Sequence, residues 1–419
     1  MLNDLHLALR NLSRYRTRTV VTTIAVLVSV FVSVVVDGFI RGIFNMSTYN
    51  LLATESAEVS VYADGYFERR GEYPSDILIG PDSRARIEEV LGSASYAYAP
   101  RYKTIADIVF YDEVEDMEFD MNVVLVGVDE DRDGDVFDIR SHVSEGEWLH
   151  DGAEGVVVGS GFARKMGLGV GSYVTISTTG REGFAETFEQ EVVGIVNTEN
   201  PQVNSSEMFI SLSVIDGYLL LDGAVSEIEV SDGSPSVAPS SFASRIDGLL
   251  SSIPVTAWYY EDVNDDLMSI MRGDQGSSYL ILFFLFIIAA AGISNTMIMA
   301  AMERRKETAM LRALGFSRGG VARLFVYEGL VTGIIGAVVG TVLSFSILVP
   351  IARHGIDLTS ILSDGMDLGY RVPLVMKPGL YWQSFVVIPC LAVLLSGLSA
   401  FLPVFRAGRK GIAELMRSV

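Results

Sequence analysis

The sequence is poor in the residues that stabilise cross-linked or metal-bound folds. It contains one cysteine, Cys390, so no disulfide can form within the chain. Its four histidines show no metal-ligand spacing, and we expect no metal site. No P-loop pattern of Gly-x-x-x-x-Gly-Lys-Ser/Thr occurs, which excludes an ATPase of that class from these 419 residues. No nucleophile and base are recognisable either, so we predict no catalytic residue and no enzymatic activity.

Basic residues are scarce across the long middle of the chain. Residues 42–279 contain 43 Asp and Glu against 13 Lys and Arg, whereas three short segments (1–18, 302–323 and 406–419) together contain 14 basic and 4 acidic residues. Short basic segments resist translocation across a membrane, while a long acidic domain crosses regardless of its charge. We therefore predict that the short segments are cytoplasmic and the middle extracytoplasmic. The acidic middle also lacks the basic footprint of a nucleic-acid-binding protein.

The apolar residues are concentrated in runs long enough to cross a bilayer, which takes about 20 helical residues. The first run, Thr19 to Val36, could belong to a cleaved signal peptide, but it exceeds the 7–15 apolar residues of one and no small-x-small cleavage site follows. We predict four membrane helices in an inner-membrane protein with both termini cytoplasmic. The predicted segments are a cytoplasmic N-terminus (1–18), helix one (19–41), an extracytoplasmic domain with stalks (42–278), helix two (279–301), a cytoplasmic loop (302–323), helix three (324–350), an outer loop (351–381), helix four (382–405) and a cytoplasmic tail (406–419).

The extracytoplasmic segment alternates short strands with short helices. Period-two apolar patterns predict strands, for example at Glu58–Tyr62 and Glu191–Val196, and Ser160–Met166 reads as a helix ended by glycine. Strand–helix–strand order occurs at both ends of the segment, with a strand-rich insertion between them. We predict an α+β domain with two lobes. Its stalks are Phe44–Leu52 and Asp262–Ser278, helix-compatible stretches that lead out of and into the membrane.

The loop between helices two and three carries a helical pattern as well as charge. Apolar positions at Met310, Leu311 and Leu314 are followed by Gly315, a typical helix C-cap. A short amphipathic helix along the inner face of the membrane presents a docking surface to a cytoplasmic partner. The residues singled out for this contact are Glu303, Arg304, Arg305, Glu307, Leu311, Arg312 and Gly315.

Two further features concern the membrane helices. Gly333, Gly336 and Gly340 form a face that lets another helix approach closely, and we interpret it as a packing surface. Asp37 and Gly38 mark the predicted exit of the first helix on the far side of the membrane.

The acidic stretch Asp129–Gly134 matches the first half of a calcium-binding loop, with carboxylates at alternate positions before a glycine. The twelfth position holds Arg140 in place of the bidentate glutamate that completes such a site. We therefore interpret the stretch as an acidic, solvated turn.

Several of these motifs together resemble the MacB/FtsX-like family of ABC-transporter permeases. They are Glu303-Arg-Arg-Lys-Glu307, Leu311-Arg-Ala-Leu-Gly315, Glu328-Gly329, the glycine-rich run Gly333–Gly340, the ending Leu402–Leu415, and Gly155–Ala163, Gly167–Gly171 and Val192–Ile195 in the middle. In this family the loop between helices two and three is a coupling helix. The resemblance implies a separate cytoplasmic ABC ATPase dimer that binds ATP and magnesium, no cofactor in this chain, and a second permease copy or paralogue.

Within the family, Val36-Asp37-Gly38-Phe39 resembles the membrane-exit motif of lipoprotein-releasing permeases of the LolC/LolE kind, with aspartate where asparagine is expected. This implies lipoprotein release from the inner membrane, with a lipoprotein or other amphiphile as substrate and membrane lipids as partners. Two alternatives stay open, a MacB-type exporter of peptides or small amphiphiles and an FtsX-type regulator of cell-wall hydrolases. The size of the 42–278 domain argues against the regulator, because a resemblance to the FtsX-type branch would imply a smaller outer domain.

Overall fold

The structure, a computed structural model, describes residues 16–112, 117–150, 152–181, 183–233, 237–303, 310, 313, 317–357 and 375–407. The chain divides into two compact units. Of the described residues, those within 1–44, 270–357 and 376–419 form the membrane unit, and those within 45–269, together with residue 375, form the outer unit.

The outer unit contains both helices and strands, and the described elements of the membrane unit are helical apart from the short strand Ile356–Asp357 and the end of the strand Val375–Met376. Two 3-10 helices, Phe67–Glu72 and Ile139–His142, add to the numbered elements. In chain order these are α1 (Arg16–Thr54), β1 (Val59–Ala63), α2 (Pro81–Ser93), β2 (Ala97–Asp112), β3 (Met117–Val128), α3 (Asp133–Val136), β4 (Val143–Gly146), β5 (Val156–Gly159), α4 (Ser160–Met166), β6 (Tyr173–Thr179), β7 (Ala185–Val196), α5 (Pro201–Ser206), β8 (Glu207–Ser211), α6 (Leu212–Leu219), β9 (Glu227–Ser231), α7 (Ser241–Leu249), β10 (Val255–Tyr259), α8 (Tyr260–Val263), α9 (Asp265–Glu303), α10 (Arg318–His354), β11 (Ile356–Asp357), β12 (Val375–Met376) and α11 (Trp382–Ala407).

One mixed sheet organises the outer unit. Its strand order is β10-β1-β9-β2-β3-β8-β5-β7-β4, and β6 pairs with both β2 and β7. The pairs β3–β8 and β5–β7 are parallel, and the other strand pairs are antiparallel. The long strand β2 pairs with the whole of β3 through residues 101–112 and with β9 through residues 97–101, so it joins the two halves that the sequence pattern separates.

Apolar clusters lie on both faces of this sheet. Strand β5 illustrates the arrangement, because Val156 and Val158 belong to one cluster while Val157 belongs to the other. Alternate side chains of a strand point to opposite faces, so a continuous apolar run indicates a strand covered on both sides. Full burial of one such side chain contributes roughly 1.5–3 kcal/mol.

Four helices of the described chain are long and apolar enough to cross a membrane: Thr19–Thr54, Asp265–Met299, Gly319–His354 and Trp382–Phe401. Within the membrane unit they are linked by hydroxyl hydrogen bonds, which are favoured where no water competes. These bonds run from Thr22 Oγ1 to Thr296 Oγ1 (3.1 Å), from Ser294 Oγ to the Ser399 carbonyl (3.2 Å), from Ser344 Oγ to the Phe31 carbonyl (3.3 Å) and from Ser396 Oγ to the Gly329 carbonyl (2.7 Å).

The predicted fold class is confirmed. The protein is an α-helical membrane protein with an α+β domain between its first and second membrane helices. The helices extend beyond the predicted spans, because α1 is helical from Arg16 to Thr54 and α9 from Asp265 to Glu303. Helix α1 therefore includes the whole predicted stalk Phe44–Leu52, and α9 includes the predicted stalk Asp262–Ser278 except for residues 262–264.

Candidate functional site

The residues predicted to contact an ATPase fall almost entirely outside the described chain. Glu303 is the last residue of α9 and is exposed. Downstream, Ser317 begins α10 as its N-cap, and its hydroxyl accepts a hydrogen bond from the Gly320 N–H at 3.0 Å. The predicted contact residues that lie outside the described residues are Arg304, Arg305, Glu307, Leu311, Arg312 and Gly315.

The predicted membrane-exit residues Asp37, Gly38 and Phe39 lie inside α1, which stays helical through this point. Asp37 is buried, and one of its carboxylate oxygens lies 3.1 Å from Arg41 Nε. The other accepts a hydrogen bond from the hydroxyl of Ser384 on α11. An ionisable group among apolar helices is costly unless it is paired, and here both carboxylate oxygens have partners.

Gly333 brings α10 against α11. A Cβ atom at Gly333 would lie 2.9 Å from the Cβ of Ser396, closer than side chains normally approach. One turn earlier, a Cβ at Gly329 would lie 2.8 Å from the Cβ of Ala400. The backbone of α10 therefore packs directly against α11 at the two glycines.

Gly336 and Gly340 bring the same helix against α1. Their Cβ atoms would lie 2.8 Å from the carbonyl oxygens of Thr23 and Leu27, respectively. The glycine stripe thus turns from one neighbour to another along α10, and small residues at these points permit close contact of helix backbones.

Gly336→Leu is expected to destabilise the membrane unit by at least about 1–3 kcal/mol, because the added side chain overlaps the α1 backbone. The measurement is the midpoint of thermal unfolding of the full chain in detergent. Gly292→Leu is the matched control, since a Cβ at Gly292 meets no described atom within 4 Å. Equal midpoints for the two variants would contradict the packing role of Gly336.

A second site lies in the outer unit, where four charged side chains from two distant strands share one face of the sheet. Strand β9 lies between β1 and β2, and Glu227 pairs across from Arg101. Because residues two apart on a strand share a face, Lys103 joins Arg101 and Glu229 joins Glu227. The Lys103 Nζ lies 2.6 Å from a Glu227 carboxylate oxygen.

Arg101 is fully buried and forms an ion pair with Asp133. Its Nε lies 2.7 Å from Asp133 Oδ1, and its Cζ lies 3.4 Å from the ring centroid of Phe137. A guanidinium over an aromatic face is attracted by the ring quadrupole, so the cation is held both by a carboxylate and by a ring.

These cations bind the end of α1. The carbonyl oxygen of Glu55 accepts hydrogen bonds from Lys103 Nζ at 3.1 Å and from Arg101 Nη1 at 3.5 Å. The carbonyl of Thr54 accepts from Arg101 at 3.4 Å, and Asn200 Nδ2 donates to the side chains of Thr54 (2.9 Å) and Glu55 (2.6 Å). The last carbonyls of a helix lack partners and carry partial negative charge, so buried cations stabilise this end.

Glu229 completes the cluster with an unusual protonation equilibrium. It accepts hydrogen bonds from the Ala57 N–H at 2.7 Å and from the Ser60 hydroxyl at 2.9 Å. Burial and the charge of Glu227 together raise the pKa of Glu229 to about 8, against the opposing effect of Lys103. Burial also opposes the charge on Lys103, but Glu227 and Glu229 outweigh it and its pKa is raised above the usual value.

The sequence pattern does not reveal this cluster. Arg101 and Lys103, like Glu227 and Glu229, alternate with other residues along a strand, and that pattern usually indicates a solvated face. The signal that could have found the pairing of β2 with β9 is that both strands place charged residues at every second position and that the two sets have opposite charge.

The acidic stretch Asp129–Gly134 is only partly the solvated turn that we predicted. Asp131 is exposed, but Asp133 is buried against Arg101, and this part of the prediction is wrong. Asp129 Oδ1 accepts a hydrogen bond from the Arg132 N–H at 3.2 Å. Within the described residues no group of three His, Cys, Asp or Glu side chains could hold a metal ion.

Two family models match the chain. The MacB-like periplasmic core domain matches residues 19–248, and the FtsX-like permease C-terminal matches residues 279–412.

Among curated proteins, the lipoprotein-releasing system transmembrane protein LolC of Neisseria meningitidis is 27% identical over 202 residues, covering 47% of this chain and 48% of that protein. LolE of the corresponding system in Haemophilus influenzae is 22% identical over 335 residues, covering 76% of this chain and 78% of that protein. The ABC transporter permease YtrF of Bacillus subtilis is 27% identical over 210 residues, covering 47% of this chain and 46% of that protein. The matched part is thus about half the length of LolC and YtrF and about three quarters of LolE.

Proposed function

Because this chain belongs to the family of FtsX-like permeases that carry a MacB-like periplasmic core domain, we propose that it releases lipid-anchored proteins from the inner membrane. As a member of that family it is an ABC-transporter permease, the membrane component of such a transporter. The energy comes from ATP and magnesium bound by a separate cytoplasmic ATPase, and the permease acts beside a second copy or a paralogue.

The observation that carries this proposal is the continuity of α1 and the way its end is bound. The helix has 39 residues and begins in one unit and ends in the other. At a rise of 1.5 Å per residue it is about 58 Å long. Displacing one end of a helix moves a domain at the other end only if the helix is firmly attached to that domain. Arg101, Lys103 and Asn200 provide the attachment at Thr54 and Glu55.

The mechanism that follows is mechanical coupling between nucleotide state and the outer unit. The ATPase contacts the segment Glu303–Gly315 on the cytoplasmic side, and its movement displaces the membrane helices. The stroke is a two-state rearrangement whose equilibrium ATP binding shifts, so the two states must differ in their affinity for the nucleotide-bound ATPase. The short basic segments, including both termini, stay in the cytoplasm throughout.

Lipoproteins are the favoured substrate because the relatives LolC and LolE are named for lipoprotein release. Export of peptides or small amphiphiles is the second candidate, supported by the MacB-like match over residues 19–248. The two differ in what leaves the membrane. A lipoprotein must lose its bilayer anchorage, whereas an exported peptide need not have been anchored.

The test combines the permease with an ABC ATPase that co-purifies with it and measures ATP-dependent release of a radiolabelled lipoprotein from proteoliposomes. Wild-type protein is expected to release the lipoprotein. Glu307→Lys is expected to recover at least about tenfold less ATPase on co-purification, because like charges brought together at an interface cost more than the ~1.4 kcal/mol that a tenfold loss represents.

Glu154→Lys makes the same charge reversal at an exposed position of the outer unit. It is expected to change neither ATPase recovery nor lipoprotein release. Unchanged ATPase recovery and turnover in Glu307→Lys would contradict the coupling assignment. ATPase stimulation by a soluble peptide without lipoprotein release would favour export.

A further inference from the structure

An apolar groove lies between α9 and α11 within the membrane unit. Its volume is about 740 Å³, inside the range of about 300–1,000 Å³ that ligand pockets occupy. Its lining residues recur every three or four positions, which places them on one face of each helix. The α9 wall comprises Tyr279, Leu282, Phe283, Phe286, Ile287 and Ala290. The α11 wall comprises Gln383, Ser384, Val387, Ile388, Leu391 and Leu395.

The groove is open along its rim and closed at its base. Phe283 and Leu391 on the rim are 58% and 46% exposed, whereas Leu282 and Ile388 are buried. Both helices are candidate membrane spans, so the rim opens toward bilayer hydrocarbon. The wall from Tyr279 to Ala290 is about 16 Å long at 1.5 Å per residue. One leaflet of a hydrocarbon core about 30 Å thick has the same depth.

Polarity changes from one end of the groove to the other. The end at which both walls begin is lined by Asp37, Arg41, Gln383 and Ser384. The rest of the groove, as far as Leu395, is lined by apolar side chains except for the hydroxyl of Tyr279. A hydrocarbon chain fits the apolar length, and a polar head group fits the polar end. The occupant must therefore be amphipathic.

Arg41 defines the head group. Its Nε binds Asp37 at 3.1 Å, and its side chain remains 33% exposed. A guanidinium has five donors in a rigid fork that suits phosphate oxygens. We propose that the groove holds one acyl chain of a bilayer glycerophospholipid, with the lipid phosphate beside Arg41. This inference does not rest on the proposed substrate; it requires only that the helices cross a bilayer.

A second copy of the chain fits the groove less well than a lipid does. An apolar helix laid into it would cover the exposed part of the Arg41 guanidinium without supplying an acceptor, and a buried donor without a partner is costly. A phospholipid supplies both the chain and the acceptor.

The experiment places the full chain in phosphatidylethanolamine vesicles containing a small fraction of phosphatidylethanolamine with a diazirine on its acyl chain. After irradiation, adducts are mapped by mass spectrometry of the peptides. Adducts on residues 279–290 and 383–395 are expected to exceed those around Val342, an exposed position of α10, by about tenfold, equivalent to ~1.4 kcal/mol of preference.

Ala290→Trp fills the apolar end of the groove and is expected to lower the groove adducts about tenfold. Leu391→Trp, at the exposed rim, is a second filling variant in case the first fails to fold. Val342→Trp is the matched control and is expected to leave the groove adducts unchanged. A diazirine-labelled diacylglycerol, which lacks the phosphate, is expected to label the groove about tenfold less than the phospholipid.

If adducts were spread evenly over all bilayer-facing helices and were unchanged in both filling variants, the proposed phospholipid site in the groove would be wrong. Equal labelling by the diacylglycerol would overturn the role of Arg41. Phe283→Cys in a Cys390→Ser background tests for a second copy, because a high yield of disulfide-linked dimer without groove adducts would assign the groove to a protein interface. These readouts are independent of ATPase recovery and lipoprotein release, so the two proposals can fail separately.

Discussion

Replacing Arg101 by methionine is expected to lower the free energy of unfolding of the outer unit by about 3–5 kcal/mol. Methionine retains a long apolar side chain, but it leaves the buried Asp133 carboxylate without its cation. It also removes the donors that bind the last carbonyls of α1. The measurement is denaturant unfolding of the full chain in detergent, followed by tryptophan fluorescence from Trp148 and Trp258 in the outer unit.

Arg164→Met is the control, since Arg164 is exposed on α4 and its replacement is expected to change stability by less than about 0.5 kcal/mol. The double variant Arg101→Met/Asp133→Leu should recover much of the loss, because removing both charges leaves neither one buried alone. A loss below about 1 kcal/mol in the single variant would mean that the buried pair contributes no more than a surface pair does.

Glu229→Gln is expected to make the outer unit less sensitive to pH between about 5 and 8. The pKa of Glu229 is about 8 in the folded protein, against 4.5 for an unperturbed glutamate. The folded state therefore retains a proton that the unfolded chain releases. The associated stability is fully present below about pH 4.5 and is lost as the pH rises through 8. A single proton changes the free energy of unfolding by at most about 1.4 kcal/mol per pH unit.

The amide oxygen of glutamine can still accept from the Ala57 N–H and the Ser60 hydroxyl, so the hydrogen bonds survive while the titration disappears. The measurement is the stability difference between variant and wild type from pH 5 to pH 9, which should grow with pH and level off above 8. Glu154→Gln, at an exposed position, should run parallel to the wild type throughout. A Glu229→Gln curve that also ran parallel would show that Glu229 titrates normally.

Both experiments concern the same attachment at the end of α1, but they perturb it differently. Arg101→Met removes donors from the Thr54 and Glu55 carbonyls, whereas Glu229→Gln leaves every donor to α1 in place. If the attachment transmits movement, the arginine variant should impair ATP-dependent release even where the outer unit remains folded. The glutamine variant should leave release at neutral pH close to wild type, since Glu229 is mostly protonated there.

The membrane helices followed from the sequence because crossing hydrocarbon is a local requirement. About 20 consecutive apolar residues satisfy it regardless of what packs beside them. The same holds for the helix Ser160–Met166, whose end at Gly167 depends on a left-handed backbone that glycine adopts without strain. Likewise, the glycines of α10 indicated close packing, but which neighbour each one contacts depends on how the helices are arranged.

The sequence by itself therefore determined the four apolar spans, the acidic α+β domain between the first two, and the basic segments at the ends of the spans. Only the tertiary structure decided that Arg101, Lys103, Glu227 and Glu229 form an internal cluster at the end of α1. Strand pairing brings β2 beside β9 although their residues lie more than a hundred positions apart. Whether a charged face of a strand is solvent-exposed or buried depends on which other elements pack against it. The local sequence pattern does not indicate which elements those are.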